Sequence, residues 1–135
     1  MKWIAALPLM WAPAAQAASL LEDLGGRERI SVFTADFVER TTHDPRIERF
    51  FTDTDHARFT ARLTDLFCHL AGEDRPYRGA NLKNVHAGMG ISEANFNALT
   101  EDLQEAMEAN GVSFSAESRL VALLTPLKRD IVDQR

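Results

Sequence analysis

The sequence predicts an all-α domain, on three observations. Apolar residues recur at intervals of three and four from Ser19 onward, which is the period of a helix with one buried face. No segment of the sequence alternates strictly with β-branched residues, as a half-buried strand would. Glycine, proline and capping residues separate the periodic stretches. The helical sets are Ile30, Phe33 and Phe37; Phe59, Leu63, Leu66, Phe67 and Leu70; Phe96, Leu99, Leu103 and Met107; and Leu120, Leu123, Leu124, Leu127 and Ile131.

A double glycine separates the first two predicted helices. Leu20 to Leu24 forms a short helix, and Gly25-Gly26 breaks it from a longer one. The longer helix ends near Thr42, because a residue that precedes proline is disfavoured in the helical conformation. The pair Asp44-Pro45 then begins a tight turn.

The middle of the chain combines one helix with a long loop. Residues 53–55, Asp-Thr-Asp, supply candidate N-caps for a helix that runs to about Ala71 and stops at the following glycine. Residues 72–81 form a loop, and a short helical stretch over 82–87 follows it and ends at Gly88. Between Gly72 and Ser92, about twenty residues hold only this one short helix, and a connection that long in a small domain is usually functional.

Two further helices complete the predicted domain. Ser92 caps a helix that lasts to about Ala109, where Asn110-Gly111 is a stop signal. Ser115 is the expected cap of the last helix, whose apolar period continues to Ile131. The prediction is therefore four substantial helices and two short ones.

Composition limits the classes of function. The 135 residues are 45% hydrophobic and 26% charged, which is typical of one globular domain and too little for two good cores. A net charge of −5 argues against non-specific binding to nucleic acid or to an anionic membrane surface. Cys68 is the only cysteine, so no intramolecular disulfide can form and packing or a bound cofactor must stabilise the fold.

Residues 1–17 have the order of a secretory signal. Lys2 precedes an apolar run, and Ala15-Gln16-Ala17 places small residues at the two critical positions before a cleavage point. The apolar run is too short to span a bilayer comfortably. We therefore expect a signal peptide over 1–17, a domain over 18–135, and a periplasmic or secreted protein with no membrane association. An uncleaved anchor and a different start codon are the alternatives.

One histidine stands inside the long loop region. Taken alone, His86 leaves a structural and a chemical role open. The sequence contains no glycine-rich phosphate loop, no nucleophile elbow and no Cys/His set with zinc spacing. Cys68 and His69 are adjacent, so on a helix they point about 100° apart and do not suit a thiolate–imidazole pair. No catalytic residue is assigned.

Five segments taken together resemble the truncated haemoglobins of group I. In chain order they are LLEDLGG, RISVFTADFVER, DPRIERFF, RPYRG and NVHAGMGIS, and the resemblance covers essentially all of Ser19 to Ile131. It implies a two-over-two helical sandwich around haem b, with His86 as the ligand of the haem iron. Gly88 and Gly90 fit the loose loop beside that ligand, because glycine adopts backbone angles that other residues avoid.

The resemblance also assigns the walls of a haem pocket. Phe51 matches a phenylalanine that packs on the haem face, and Tyr77 of the RPYRG segment is counted among the cofactor-binding residues. Leu99 and Leu103 fall on the helix that crosses behind the pocket. Arg62 falls where many relatives place a basic residue near a haem propionate or the distal side, and a guanidinium suits a carboxylate. A solvated surface arginine is the alternative for Arg62.

The distal side departs from the family. The positions that carry tyrosine, glutamine or another polar residue in many relatives are here Val38, Phe59 and Leu63, and Phe67 matches a bulky pocket or tunnel residue. Dioxygen takes up negative charge from iron, and a hydrogen bond to a charged acceptor contributes roughly 1.5–3 kcal/mol, or roughly tenfold to a hundredfold in affinity. Unless Arg62 or a water supplies that hydrogen bond, we expect weak retention of O2 and relatively better discrimination toward NO or CO.

The implied function is a haem protein that binds O2, NO or CO, with no enzymatic activity assigned. NO scavenging or redox chemistry with an unidentified reductase stays open. A periplasmic haem-binding, sensing or electron-transfer module without an O2-carrying role is one alternative, and an all-α interaction domain without haem is another. His43, His56 and His69 are interpreted as surface groups.

Overall fold

A computed structural model describes residues 19–79 and 81–133, and all regular secondary structure within these ranges is helical. The predicted signal peptide over 1–17 lies outside the described residues. Within them, no helix has the length and apolar character needed to cross a membrane. The helices are α1 (Leu20–Asp23), α2 (Gly26–Thr42), α3 (His56–Leu70), α4 (Leu82–His86), α5 (Glu93–Ala109), α6 (Phe114–Leu124) and α7 (Lys128–Ile131), with 3-10 helices over Glu48–Phe51 and Thr125–Leu127.

Side-chain caps fix the starts of α3 and α5 as predicted. The carboxylate of Asp55 accepts a hydrogen bond from the backbone N–H of Arg58, 3.1 Å away. Ser92 and Asn95 form a reciprocal capping box at the start of α5, each accepting from the other's backbone N–H. Such caps satisfy donors that have no partner within the helix.

The last predicted helix is wrong in its start and in its continuity. Ser113, rather than Ser115, is the N-cap, and its hydroxyl accepts from the backbone N–H of Ala116 at 3.2 Å. The helix also does not continue unbroken to Ile131. Pro126 lacks an N–H and its ring crowds the preceding turn, so α6 gives way to a 3-10 turn before α7 begins.

Two pairs of helices form the body of the domain. Helix α2 packs against both α3 and α5, and α5 also packs against α6, which matches the two-over-two arrangement that the resemblance implied. Three phenylalanines join the α2 and α3 pair, since the ring of Phe67 lies 6.4 Å from Phe33 and 6.1 Å from Phe37 between centroids. The fully buried centre of the core comprises Leu24, Ile30, Phe33, Ile47, Cys68, Leu103, Ala106, Met107 and Leu120.

Candidate functional site

A cavity of about 320 Å³ opens beside the core. Its lining is mainly aliphatic and aromatic, which suits a flat apolar ligand more than a polar one. Helices α2 to α6, the 3-10 segments and α7 all contribute to it. The lining residues are Phe37, Ile47, Phe50, Phe51, Thr54, Phe59, Arg62, Leu63, Leu66, Phe67, Tyr77, Leu82, Val85, His86, Met89, Ile91, Asn95, Phe96, Leu99, Thr100, Leu103, Leu124, Leu127 and Ile131.

Helix α3 supplies one wall of the cavity. Phe59, Leu63 and Phe67 are spaced by four residues and therefore share one helix face. Phe59 also contacts Phe51 of the preceding 3-10 segment, with ring centroids 5.4 Å apart. These side chains have no hydrogen-bonding atoms, so this stretch of the wall offers a ligand only apolar contact.

His86 lies at the end of α4, half-buried, and lines the cavity. Its Nδ1 atom lies 2.6 Å from the carbonyl oxygen of Leu82, one turn earlier. Since a carbonyl oxygen can only accept, Nδ1 carries the proton and donates it. The neutral imidazole therefore keeps a lone pair on Nε2, and a backbone hydrogen bond of this kind is the usual way in which proteins orient a metal-binding histidine.

The metal-ligating side chains at the cavity suit a metal ion that is already coordinated by a macrocycle. Among residues 19–79 and 81–133, no three His, Cys, Asp or Glu side chains gather where they could hold a bare metal ion. A single imidazole beside a broad apolar cavity instead fits a metal held in a macrocycle, which itself supplies the remaining coordination.

A polar cleft adjoins the cavity. Arg62 and Tyr77 line both spaces, and Tyr77 stacks on His69 with ring centroids 5.3 Å apart. Burial raises the pKa of Tyr77, which therefore stays a neutral phenol at neutral pH. Behind them, Arg27 forms ion pairs with Asp65 at 2.7 Å and Glu73 at 2.6 Å. Arg62 has no ion pair among the described residues, so its exposed guanidinium is available at the boundary between the two spaces.

Most predicted pocket residues lie together, and one does not. Phe51, Phe59, Arg62, Leu63, Phe67, Tyr77, His86, Leu99 and Leu103 all line the cavity. Val38 is not among the residues that line the cavity: its side chain is only 3% exposed and is buried on α2. Adjacent residues on a helix point about 100° apart. Phe37 takes the place on the cavity side.

Several lining residues were not predicted. Phe50 lies beside Phe51, and Leu124, Leu127 and Ile131 come from the C-terminal segment. The apolar period did include the last three, but it gave no indication of which helix face they share with the cavity. Thr54, Asn95 and Thr100 are the polar residues among those not predicted. The Thr100 hydroxyl already donates a hydrogen bond to the Phe96 carbonyl oxygen at 3.0 Å.

Comparisons with known proteins agree with this geometry. The family model described as "Bacterial-like globin" matches residues 19–133. A "Group 1 truncated hemoglobin GlbN" from Mycolicibacterium paratuberculosis is 32% identical over 117 residues, covering 87% of this chain and 86% of the relative. A protein of the same description from Synechocystis is 30% identical over 123 residues, covering 87% and 99%.

Solved structures give the same result. The truncated haemoglobin of Tetrahymena pyriformis, in its Fe(III) form, is similar with a TM-score of 0.81 at 25% identity, over 85% of this chain and 98% of that one. A 2/2 haemoglobin from Synechococcus with covalently attached haem has a TM-score of 0.80 at 24% identity, over 87% and 100%. The second likeness concerns the fold alone.

Proposed function

We propose that this chain, which belongs to the bacterial-like globin family and within it to the group 1 truncated haemoglobins, binds a diatomic gas at haem iron held by His86. Haem with iron is the cofactor of this fold family. When bound, haem supplies an iron atom that can take a diatomic gas at the coordination position left open by the protein.

The state of His86 is the observation that carries the proposal. The hydrogen bond from Nδ1 to the Leu82 carbonyl oxygen leaves Nε2 as the only basic ring atom. His43, His56 and His69 do not line the cavity, so His86 is the one histidine among the described residues that lines it, which supports His86 as the iron ligand. This also leaves electron transfer through two internal histidine ligands with less support than gas binding.

Arg62 and Tyr77 support an orientation for the cofactor. Haem has an apolar macrocycle and two carboxylates, and its carboxylate edge needs water or cations. Arg62 stands where the apolar cavity meets the polar cleft, and a guanidinium pairs well with a carboxylate. We infer that Arg62 would pair with a haem carboxylate at this boundary, and that Phe51, Leu99 and Leu103 would supply apolar contacts to the macrocycle.

The α3 wall supports weak retention of O2. Phe59, Leu63 and Phe67 offer no donor to a ligand that accumulates negative charge. Compared with a pocket that donates a hydrogen bond to O2, the absence of this bond corresponds to roughly 1.5–3 kcal/mol. At an unchanged association rate, O2 would then be released roughly tenfold to a hundredfold faster. CO gains less negative charge, so its binding depends less on such a donor. The proposed discrimination is therefore against O2 relative to CO and NO.

Optical spectra of the ferric, ferrous and CO-bound forms test the proposal. We expect a Soret band and a five-coordinate ferrous spectrum in the native chain. The variant His86→Ala should lose haem or bind it far more weakly. His43→Ala, which changes an exposed histidine outside the cavity, is the matched control and should keep the native spectrum. Unchanged haem affinity and spectrum in His86→Ala would contradict the ligand assignment.

Stopped-flow measurement of O2 release tests the proposed weak retention of O2. Release should be fast in the native chain. Slow release, comparable to that of a truncated haemoglobin with a tyrosine donor, would show that another group supplies the missing hydrogen bond.

A further inference from the structure

We infer that Asp133 is a positioning residue for His86: its carboxylate holds the backbone of residues 87–90 and so limits the movement of the imidazole against iron. The inference rests on the proposed role of His86 and adds a residue 47 positions away from it in the chain.

Both oxygens of the Asp133 carboxylate are engaged by the loop. Oδ1 accepts from the backbone N–H of Gly88 at 3.4 Å, and Oδ2 accepts from that of Gly90 at 2.5 Å. The backbone N–H of Asp133 in turn donates to the carbonyl oxygen of Ile91 at 2.9 Å. The end of the chain thus binds the segment after His86 at three points. Nearby backbone N–H groups in such turns form a concave site for an anion.

The loop has few other restraints. Gly88 and Gly90 have φ angles of +77° and +72°, a left-handed conformation that side chains disfavour. Met89 between them lines the cavity but is 40% exposed and is not part of the buried core. Helix α4 has five residues, which is far too short to be stable by itself. Within the segment, only the bonds from Ala87 N to Lys83 O and from Met89 N to His86 O continue the turn. External contacts must therefore set its position.

The segment that presents Asp133 is itself anchored to the cavity. Leu127 and Ile131 line the cavity, and α7 packs against α4. Lys128 forms an ion pair with Glu93 at 2.5 Å, which ties this segment to the start of α5. Asp133 therefore connects the exposed loop to a segment that contacts the start of α5 and lines the cavity.

Amide hydrogen exchange in the full-length chain tests the contact without relying on gas binding. In the variant Asp133→Ala, exchange at Gly88 and Gly90 should accelerate at least about tenfold, because each amide loses an acceptor that is charged. Asp133→Asn keeps one oxygen acceptor and should fall between native and Asp133→Ala. Asp130→Asn removes a charge from α7 but breaks no contact found among the described residues, so its exchange should match the native chain.

Resonance Raman spectroscopy of the ferrous, ligand-free form tests the effect on iron. Asp133→Ala should shift or broaden the iron–histidine stretching band and should speed haem transfer to an apo-globin acceptor several-fold. A thermal unfolding midpoint near that of the native chain would distinguish this effect from general destabilisation.

The outcomes separate the two proposals. Native exchange and a native iron–histidine band in Asp133→Ala would overturn the role of Asp133 and leave His86 as the ligand. Retention of haem by His86→Ala would overturn the assignment of His86 as the iron ligand. Faster amide exchange in Asp133→Ala would then show only that Asp133 anchors the loop, and the proposed effect of Asp133 on iron would be overturned.

Discussion

Two walls of the cavity are held in place by different means. The α3 wall belongs to a fifteen-residue helix whose inner face is buried against α2, and apolar packing fixes it. The His86 wall consists of a five-residue helix and an exposed glycine loop. It is fixed by hydrogen bonds that the Leu82 carbonyl oxygen accepts from His86 and the Asp133 carboxylate accepts from the loop amides. Packing therefore sets the global stability and the ligand environment, while a few polar contacts set the position of His86, the proposed iron ligand.

The largest effect should come from the α3 wall. Phe67 belongs both to the core and to the cavity, and it contacts Phe33 and Phe37. Phe67→Ala should lower the free energy of unfolding by about 3–5 kcal/mol, because the cavity it leaves cannot collapse fully. Chemical denaturation measures this change. Phe114→Ala is the control, since Phe114 is 80% exposed and should change stability by less than about 0.5 kcal/mol. Equal effects would contradict the distinction.

A donor placed in the same wall should change ligand release rather than haem retention. Leu63→Gln puts an amide N–H into the apolar stretch between Phe59 and Phe67. We expect O2 release to slow by about tenfold to a hundredfold, while CO release changes much less. Leu63→Met keeps the wall apolar at similar volume and should retain fast O2 release. Equal slowing of O2 and CO would indicate a steric effect instead.

Asp102, a buried carboxyl on α5, allows the stability of the packed helices to be changed without altering the loop beside His86. Asp102 on α5 is buried beside Asp44, its Oδ2 atom has no hydrogen-bond partner among the described residues, and Arg46 stands 3.7 Å from Oδ1. Burial, followed by the neighbouring Asp44 carboxylate, raises the pKa of Asp102 to about 7. The hydrogen bond from Arg46 holds the pKa of Asp44 well below its usual range.

The sign of the resulting pH dependence follows from proton binding. Between about pH 4 and pH 7 the folded chain keeps a proton on Asp102 that the unfolded chain has released. Raising the pH from 5 to 8 should therefore lower the free energy of unfolding, by about 2 kcal/mol from this group. Asp102→Asn should remove most of that slope, and Asp74→Asn, at an exposed loop position, should keep it. Denaturation at several pH values measures the slope, and an unchanged slope in Asp102→Asn would show that other groups cause it.

The sequence predicted the packed part of the molecule better than the hydrogen-bonded part. Apolar spacing and caps located α2, α3 and α5, since those signals are local and periodic. The position of His86 on the cavity required a resemblance, because a single histidine has no period. The sequence also did not show that Phe37 rather than Val38 lines the cavity, because the rotation of a helix about its axis depends on tertiary packing.

Contacts to backbone groups leave no pattern in a sequence. Asp133 binds the amides of Gly88 and Gly90, and such donors are present at every residue except proline, so nothing in the letters points from one segment to the other. Pro126 was visible in the sequence, yet the apolar period of the last helix concealed the break. The signal peptide over 1–17 and export to the periplasm stay predictions, and N-terminal sequencing of the secreted protein would test them.

The smallest predicted change in stability comes from alanine substitutions at two glycines with the same backbone conformation. Gly88 has a φ of +77° beside His86, and Gly111 has a φ of +74° between α5 and α6; an added Cβ would meet no atom within 4 Å at either. Alanine at each position should therefore cost about 1 kcal/mol through backbone strain alone. In Gly111→Ala the cost should appear as a lower free energy of global unfolding, with haem retention unchanged. In Gly88→Ala it should appear mainly as faster haem loss, because the loop can relieve its strain by moving locally without unfolding the packed helices. If both variants lost the same stability and kept haem equally well, the loop would be as firmly coupled to the core as α3 is, and the two walls would not differ in the way proposed.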